Sequence, residues 1–220
     1  ADDVYREGIT KVSPADFEAA RALGCTIKLL AICERLTSDG QQRVSARVYP
    51  ALVPMDHPLA SVNGAFNAVV VEAEAAGRLM FYGQGAGGDP TASAVMGDVV
   101  MAARNRVQGG RGPRESKYAQ LPIAPVGMIP TRYYVSMTVK DRPGVLASVA
   151  TEFGKREVSI AEVRQKGIVD EATGQPSGAR IDVVTHRATD SALSETVSAL
   201  AELDAVDAVD SVLRLEGTSE

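Results

Sequence analysis

Apolar positions along the chain follow two rhythms. Over CTIKLLAICERL (25–36) and RVSARVYPALV (43–53) they alternate or run on, which predicts two strands, and Ser38-Asp39-Gly40 between them predicts a hairpin with a longer loop. NAVVVEAEAAGRLMFYG (67–83) predicts a second hairpin that turns at Ala75-Ala76-Gly77. The helical rhythm opens at Ser13-Pro14-Ala15-Asp16, with Ser13 as N-cap, Pro14 in the first helical position and a carboxylate in the first turn. That helix is predicted to run to about Leu23 and stop at Gly24. Met55-Asp56-His57-Pro58 breaks the pattern, and a second helix is predicted over 91–106, opened by Pro90-Thr91.

The second half has a more regular order. RYYVSMTVK (132–140) reads as a strand, the turn at 141–144 follows, and VLASVATEFGKR (145–156) reads as an amphipathic helix. SIAEVRQKGI (159–168) and RIDVVTHRA (180–188) read as strands. A helix over 190–203 with Asp190 at its N-cap and a strand over 206–216 complete the set. The order βαββαβ predicts a ferredoxin-like unit, with two helices on one face of a four-stranded antiparallel sheet. The other face needs cover, which a second copy would supply. Between the halves, QGGRGPRESK (108–117) and then Pro122, Pro125 and Pro130 predict a linker over 107–130, anchored by Leu121 and Ile123. The fold class is α+β: a mixed or antiparallel sheet domain, then the βαββαβ unit.

Composition narrows the partners. A chain of 220 residues holds one or two domains. A net charge of −5 without a basic block argues against duplex nucleic acid or an anionic membrane. No apolar run approaches the roughly 18 residues of a membrane span. Cys25 and Cys33 have even spacing on one strand, which predicts two buried free thiols on one face, suited to a reducing cytoplasm. His57 and His186 lie far apart, with no Cys or carboxylate spacing that suggests a metal site. Ser61, Ser93 and Ser136 lack a base in any recognisable arrangement. Glu72 and Glu74 alternate with apolar neighbours as on a solvated sheet face, and Asp204, Asp207 and Asp210 read as a solvated edge.

Two turns are candidates for chemistry. YGQGAGGDPTASAVMGD (82–98) is a strand end, a glycine-rich turn and a helix start. Glycines allow close backbone approach, and a helix N-terminus presents unpaired N–H groups. The same glycines also suit a plain tight turn. Asp141-Arg142-Pro143-Gly144-Val145-Leu146 joins a strand to a helix N-terminus, where an α-carboxylate would be favoured and Asp141 would accept from an α-ammonium group. The alternative is that Asp141 simply caps the helix.

VKDRPGVLASVATEFGKREVSIAEV (139–163) resembles the ACT domain, a small-molecule sensor attached to amino-acid biosynthetic enzymes. EGITKVSPADFEAARALGCTIKLLAI (7–32), HPLASVNGAFNAV (57–69) and YGQGAGGDPTASAVMGDVV (82–100) resemble the C-terminal half of the homoserine dehydrogenase catalytic region. The resemblance implies a substrate and dimerisation domain over 1–106, the linker 107–130 and an ACT domain over 131–216. It implies an NADP or NAD cofactor contacted by Gly87, with Gly85, Ala86 and Thr91 as neighbours. It implies homoserine and aspartate semialdehyde as substrates, and threonine as effector at the 141–146 turn. Ser159, Ile160 and Gln165 of a partner copy would complete that pocket, although many members carry Asn where Ser159 stands. The family's Rossmann domain, catalytic lysine and catalytic aspartate match no stretch of this sequence; neither Lys11 nor Lys28 lies in the catalytic motif. The resemblance therefore implies the C-terminal portion of a cytoplasmic, homo-oligomeric enzyme, inactive by itself. Its rivals are a non-enzymatic amino-acid-binding regulator and a structural assembly module.

Overall fold

The protein is seen in a computed structural model that describes residues 3–38, 40–110, 120–169 and 175–217. It divides into two compact units: residues 1–54 with 121–220, and residues 55–120.

In the larger unit a short strand, β1 (Tyr5–Arg6), precedes helix α1 (Pro14–Ala22). The predicted cap forms: Asp16 Oδ2 accepts from the Ser13 amide at 2.7 Å and from its hydroxyl at 2.9 Å. Gly24, at φ +65°, takes the left-handed turn that ends the helix. Strands β2 (Cys25–Ser38) and β3 (Gln41–Pro54) then form the predicted hairpin, in register from Cys25–Pro54 to Ser38–Gln41. Since β2 occupies one edge of β3, everything else that pairs with β3 shares the other edge. There β1 lies beside Arg47 and Val48, and Ile123 bridges Val44. Residues 122–124 thus run along this sheet, with Val44 N–H donating to the Pro122 carbonyl and Ala124 N–H to that of Val44. The 111–119 part of the expected linker lies outside the described residues.

In the smaller unit β4 (Phe66–Ala73) and β5 (Gly77–Gln84) form the second hairpin, and α2 (Gly88–Gln108) follows. This helix starts earlier than the sequence suggests. Its N-cap is Gly87, and Pro90 sits inside the first turn, where a missing N–H costs nothing because helix geometry leaves it unpaired anyway. No residue of α2 is buried, and Val95, Met96, Val99, Val100 and Met101 are all more than half exposed.

The remaining elements belong to the larger unit: β6 (Pro130–Val139), α3 (Val145–Lys155), β7 (Ile160–Val169), β8 (Pro176–Thr185), a two-residue β9 (Ala188–Thr189), α4 (Asp190–Ala201) and β10 (Val206–Leu215). The strand order β10-β6-β8-β7, antiparallel throughout, is the expected ferredoxin-like sheet. One face of the sheet (Tyr133, Val135, Met137, Val139, Ile181, Val183) packs on Val145, Val149 and Phe153 of α3 and on Leu193 and Leu200 of α4. Each of these side chains contributes about 1.5–3 kcal/mol by burial. Asp190 is not the N-cap of α4; Thr189 is, and its hydroxyl accepts from the Ala192 amide.

Two findings go beyond the βαββαβ reading. First, the end of β10 is sandwiched between two strands: Arg214 and Leu215 pair antiparallel with Tyr133 and Arg132 of β6 on one side and in parallel with Ala51 and Leu52 of β3 on the other, so one sheet joins the first hairpin to the ferredoxin-like strands. Second, the outer face of the ferredoxin-like sheet is partly covered within the chain. Tyr134, Val184 and Leu213 pack with Ala20 of α1, Cys25 and Leu52. Cys25 is buried there, but Cys33 is exposed, contrary to the expectation for both thiols. A nine-residue helix is about 14 Å long, whereas eight residues of strand take Cys33 about 27 Å along the sheet from Cys25. The cover runs out before the strand does.

Candidate functional site

At the glycine turn the Gly85 amide donates to the Ala65 carbonyl at 2.9 Å, closing the end of the β4–β5 hairpin. A Cβ on Gly85 would fall 1.5 Å from Asn67 Nδ2, so this backbone lies against a side chain that would have to move. Gly87 has φ +126° and ψ 148°, a conformation open in practice only to glycine. Thr91 folds back on the turn, with its hydroxyl donating to the Gly87 carbonyl at 2.7 Å. Gly88 and Asp89 are the first two helical residues, so their N–H groups have no partner inside the helix. Asp89 also places a negative charge in that first turn. The turn therefore offers a small ligand bare backbone and two amides, with the Thr91 hydroxyl still able to accept.

The 141–146 turn is built from the end of β6. The Lys140 amide donates to the Ala205 carbonyl at 3.0 Å, and Gly144, at φ +90°, reverses the chain to start α3. Asp141 is exposed and has no partner among the described residues; it does not cap the helix. Arg142 is turned away to Asp204, 2.9 Å from Oδ2, while Lys140 Nζ lies 3.1 Å from Oδ1. Hydrogen bonds from Lys140 and then Arg142 hold the Asp204 carboxyl below its ordinary range. Val145 is buried, and Leu146 is 41% exposed on the helix face beside the turn.

Ser159 and Ile160 are not beside this turn in the same chain. Ile160 pairs with Thr185, whose hydroxyl accepts from the Tyr133 amide, whereas Gly167 pairs with Ala179, itself opposite Val139. Six residues of strand, about 20 Å, separate those two levels. A pocket using both segments needs two copies of the chain.

A third cluster escaped the sequence reading. Arg214, buried on β10, donates from Nε to Asp190 Oδ1 at 3.0 Å and from Nη1 to Glu7 Oε2 at 2.8 Å. Its Nη2 is 3.3 Å from the hydroxyls of both Tyr5 and Tyr133, and the Tyr133 hydroxyl donates to Asp190 Oδ1 at 2.9 Å. The rings of Tyr49, Tyr5 and Tyr133 stand 4.7, 5.1 and 5.3 Å from the guanidinium carbon. Burial works against the Arg214 charge, but Tyr133 and Asp190 outweigh it and its pKa is raised; burial likewise pushes the Tyr133 hydroxyl up. The signal in the sequence is one arginine between two leucines near the end of an apolar strand. That implies a buried partner without saying which.

An Asp-x-Pro-Gly turn between the first strand and first helix of a ferredoxin-like sheet is the arrangement of the ACT class of domains. Residues 133–205 match the ACT domain family, and residues 1–100 match the family described as Homoserine dehydrogenase. The first part of the chain thus carries a homoserine dehydrogenase family segment and the second part an ACT domain. It is 79% identical over 219 residues to the homoserine dehydrogenase of Mycobacterium tuberculosis strain H37Rv, covering 99% of this chain and 49% of that protein. Against the homoserine dehydrogenase of Corynebacterium glutamicum identity is 58%, over 98% of this chain and 47% of that one. The crystal structure of a homoserine dehydrogenase from Thiobacillus denitrificans superposes with a TM-score of 0.86 at 32% identity, covering 98% of this chain and 48% of that one. The chain thus spans about half the length of the relatives it matches. Among the described residues no helix is long and apolar enough to cross a membrane.

Proposed function

We propose that this chain works as part of a nicotinamide-dependent homoserine dehydrogenase that interconverts homoserine and aspartate semialdehyde, on the route to threonine, methionine and isoleucine. The observation that carries the reading is the 79% identity over 219 residues, 99% of this chain, to a homoserine dehydrogenase. When bound, NADP or NAD supplies the hydride chemistry. This chain's share is to hold and orient. Gly85, Ala86 and Gly87 give a backbone surface with no side chain larger than one methyl group, and Thr91 keeps an acceptor oxygen beside it. The bare amides of Gly88 and Asp89 and the positive φ of Gly87 fit a close ligand, which is what supports cofactor contact here. No residue of this chain is assigned to proton transfer, and the chain alone is expected to show no turnover.

Residues 1–106 serve as the substrate and dimerisation part, and 131–216 as the regulatory part, with 107–130 between them. Threonine is the expected effector at the turn formed by Asp141, Arg142, Pro143, Gly144, Val145 and Leu146. There unpaired Asp141 receives the ammonium group, and the N-terminus of α3 the carboxylate. Ser159 and Ile160 would come from a second copy, which supports a homo-oligomer as the working form, in the cytoplasm. To regulate, threonine must bind one state more tightly than the other. The test is homoserine-dependent reduction of NADP by the protein that carries this chain, with and without threonine. Turnover that threonine slows is expected. Absence of homoserine-dependent turnover sinks the reading, and turnover indifferent to threonine sinks the regulatory half.

A further inference from the structure

The loop that leads into β4 holds Asn63-Gly64, between a short helical turn at Pro58–Ser61 and the first strand residue, Phe66. Both residues are exposed. The chain is held on either side of the pair: the Val62 amide donates to the Leu59 carbonyl at 3.3 Å, and the Phe66 amide to the Asn63 carbonyl at 3.4 Å. The Asn63 side chain donates from Nδ2 to the Ser61 carbonyl at 3.0 Å. Gly64 itself stands at φ +65° in open space, with nothing beyond its chain neighbours within 4 Å of where a Cβ would lie. Its amide has no partner among the described residues.

An asparagine followed by glycine is the pairing in which a backbone amide most readily reaches its neighbour's side chain, because glycine has no Cβ to block the approach and turns freely. The chain has three asparagines, and the fold separates their chemistry. Asn67 lies in β4, where the following Ala68 is fixed opposite Tyr82. Asn105 lies inside α2, where the following amide is committed to the helix and Arg106 carries a long side chain. At Asn63 alone does the next amide belong to an exposed glycine outside any helix or strand.

We propose that Asn63 is a site of spontaneous modification, converted to isoaspartate by its own backbone. The Gly64 amide nitrogen gives up its proton to solvent and attacks Asn63 Cγ. The new N–Cγ bond closes a cyclic imide. The Cγ–Nδ2 bond breaks, and Nδ2 takes up a proton and leaves as ammonia. Water then opens the ring at either carbonyl, with no oxidation or reduction at any step. Opening at Cγ gives aspartate; opening at the backbone carbonyl gives isoaspartate, with the chain now running through the former side chain. That product lengthens the main chain by one methylene and adds a negative charge. Just beyond it, the Ala65 carbonyl accepts from the Gly85 amide, and the Phe66 ring stacks on Tyr82 with centroids 4.8 Å apart. The modification therefore loosens the closure that holds the glycine turn. Its effect on cofactor contact rests on the reading of that turn; the chemistry at Asn63 does not.

The test is prolonged incubation of the whole protein at mildly alkaline pH, followed by digestion and peptide mapping with a methyltransferase that labels isoaspartate. Label is expected at Asn63, in excess over conversion to aspartate, and not at Asn67 or Asn105. It is expected to accumulate faster as pH rises, because the attacking nitrogen must lose a proton. Asn63→Ser keeps the backbone and is expected to stay unlabelled in this loop. Gly64→Ala is expected to slow conversion by about tenfold or more, since a Cβ hinders the approach. The Gly85 amide is expected to exchange hydrogen faster in aged protein than in fresh, with no such change in aged Asn63→Ser. No label at Asn63, under conditions that convert a peptide spanning 58–70, overturns the proposal. So does label at Asn67 or Asn105 instead, or conversion at Asn63 that is indifferent to Gly64→Ala. None of these readouts depends on turnover, so a failure of the cofactor reading leaves them standing.

Discussion

Arg214 shows how much can depend on one side chain. Its guanidinium holds Glu7 near the start of the chain, Asp190 at the start of α4, and three tyrosine rings. Arg214→Met would leave Asp190 charged, buried and short of its main partner. Removing one partner of a buried pair typically costs about 3–5 kcal/mol, and urea unfolding of this variant is expected to show a loss of that size. Arg214→Lys is expected to recover only part, because an ammonium group cannot serve both carboxylates and both hydroxyls in the same plane. At the surface, Asp204 works in the opposite regime. Its pKa is depressed below the ordinary 3.8 by Lys140 and Arg142, so its ion pairs stabilise the folded state above that value and are lost as pH falls through the lower folded one. Asp204→Asn is therefore expected to flatten the acid end of the stability–pH profile while leaving its slope near neutral pH unchanged.

Among the elements, the β2–β3 hairpin and α1 teach the limits of period-two reasoning. The spacing of Cys25 and Cys33 was legible, and so was their shared face, but burial depends on what lies over that face. A thiol reagent is expected to modify Cys33 rapidly in the native protein and Cys25 only on unfolding; equal rates would contradict the cover by α1. The start of α2 makes a related point. Pro90-Thr91 looked like the helix opening because proline favours the first turn, yet the glycine before it, free to take φ +126°, is where the chain actually enters the helix. A Gly87→Ala change is expected to cost about 2 kcal/mol of local stability, read as faster hydrogen exchange through the first turns of α2. The unburied apolar residues of α2 are likewise expected to leave this helix weakly protected from exchange in the isolated chain.

In the molecule as a whole, the chain's two ends are bound into one sheet. The Glu216 amide donates to the Leu52 carbonyl at 2.9 Å, and β10 lies between β6 and β3. Residues 43–53 and 206–215 are therefore expected to lose hydrogen-exchange protection together as denaturant rises. Independent loss in two steps would mean that the regulatory sheet and the first hairpin are separate cooperative units.

The sequence by itself determined the local elements, the βαββαβ order and the two glycine turns. These follow from apolar period, capping residues and the need for positive φ, all set by residues a few positions apart. The strand order within the regulatory sheet was equally legible, because its connections are short and its chirality constrained. Only the tertiary structure decided that β10 reaches across to β3, that α1 shields one end of the outer sheet face, and that Arg214 finds Glu7 and Asp190. Those contacts join residues more than a hundred positions apart, or charges whose partners no periodicity marks. Pairing across such separations is selected by the packing of whole faces and by the need to satisfy buried charge, conditions that exist only once the chain has folded.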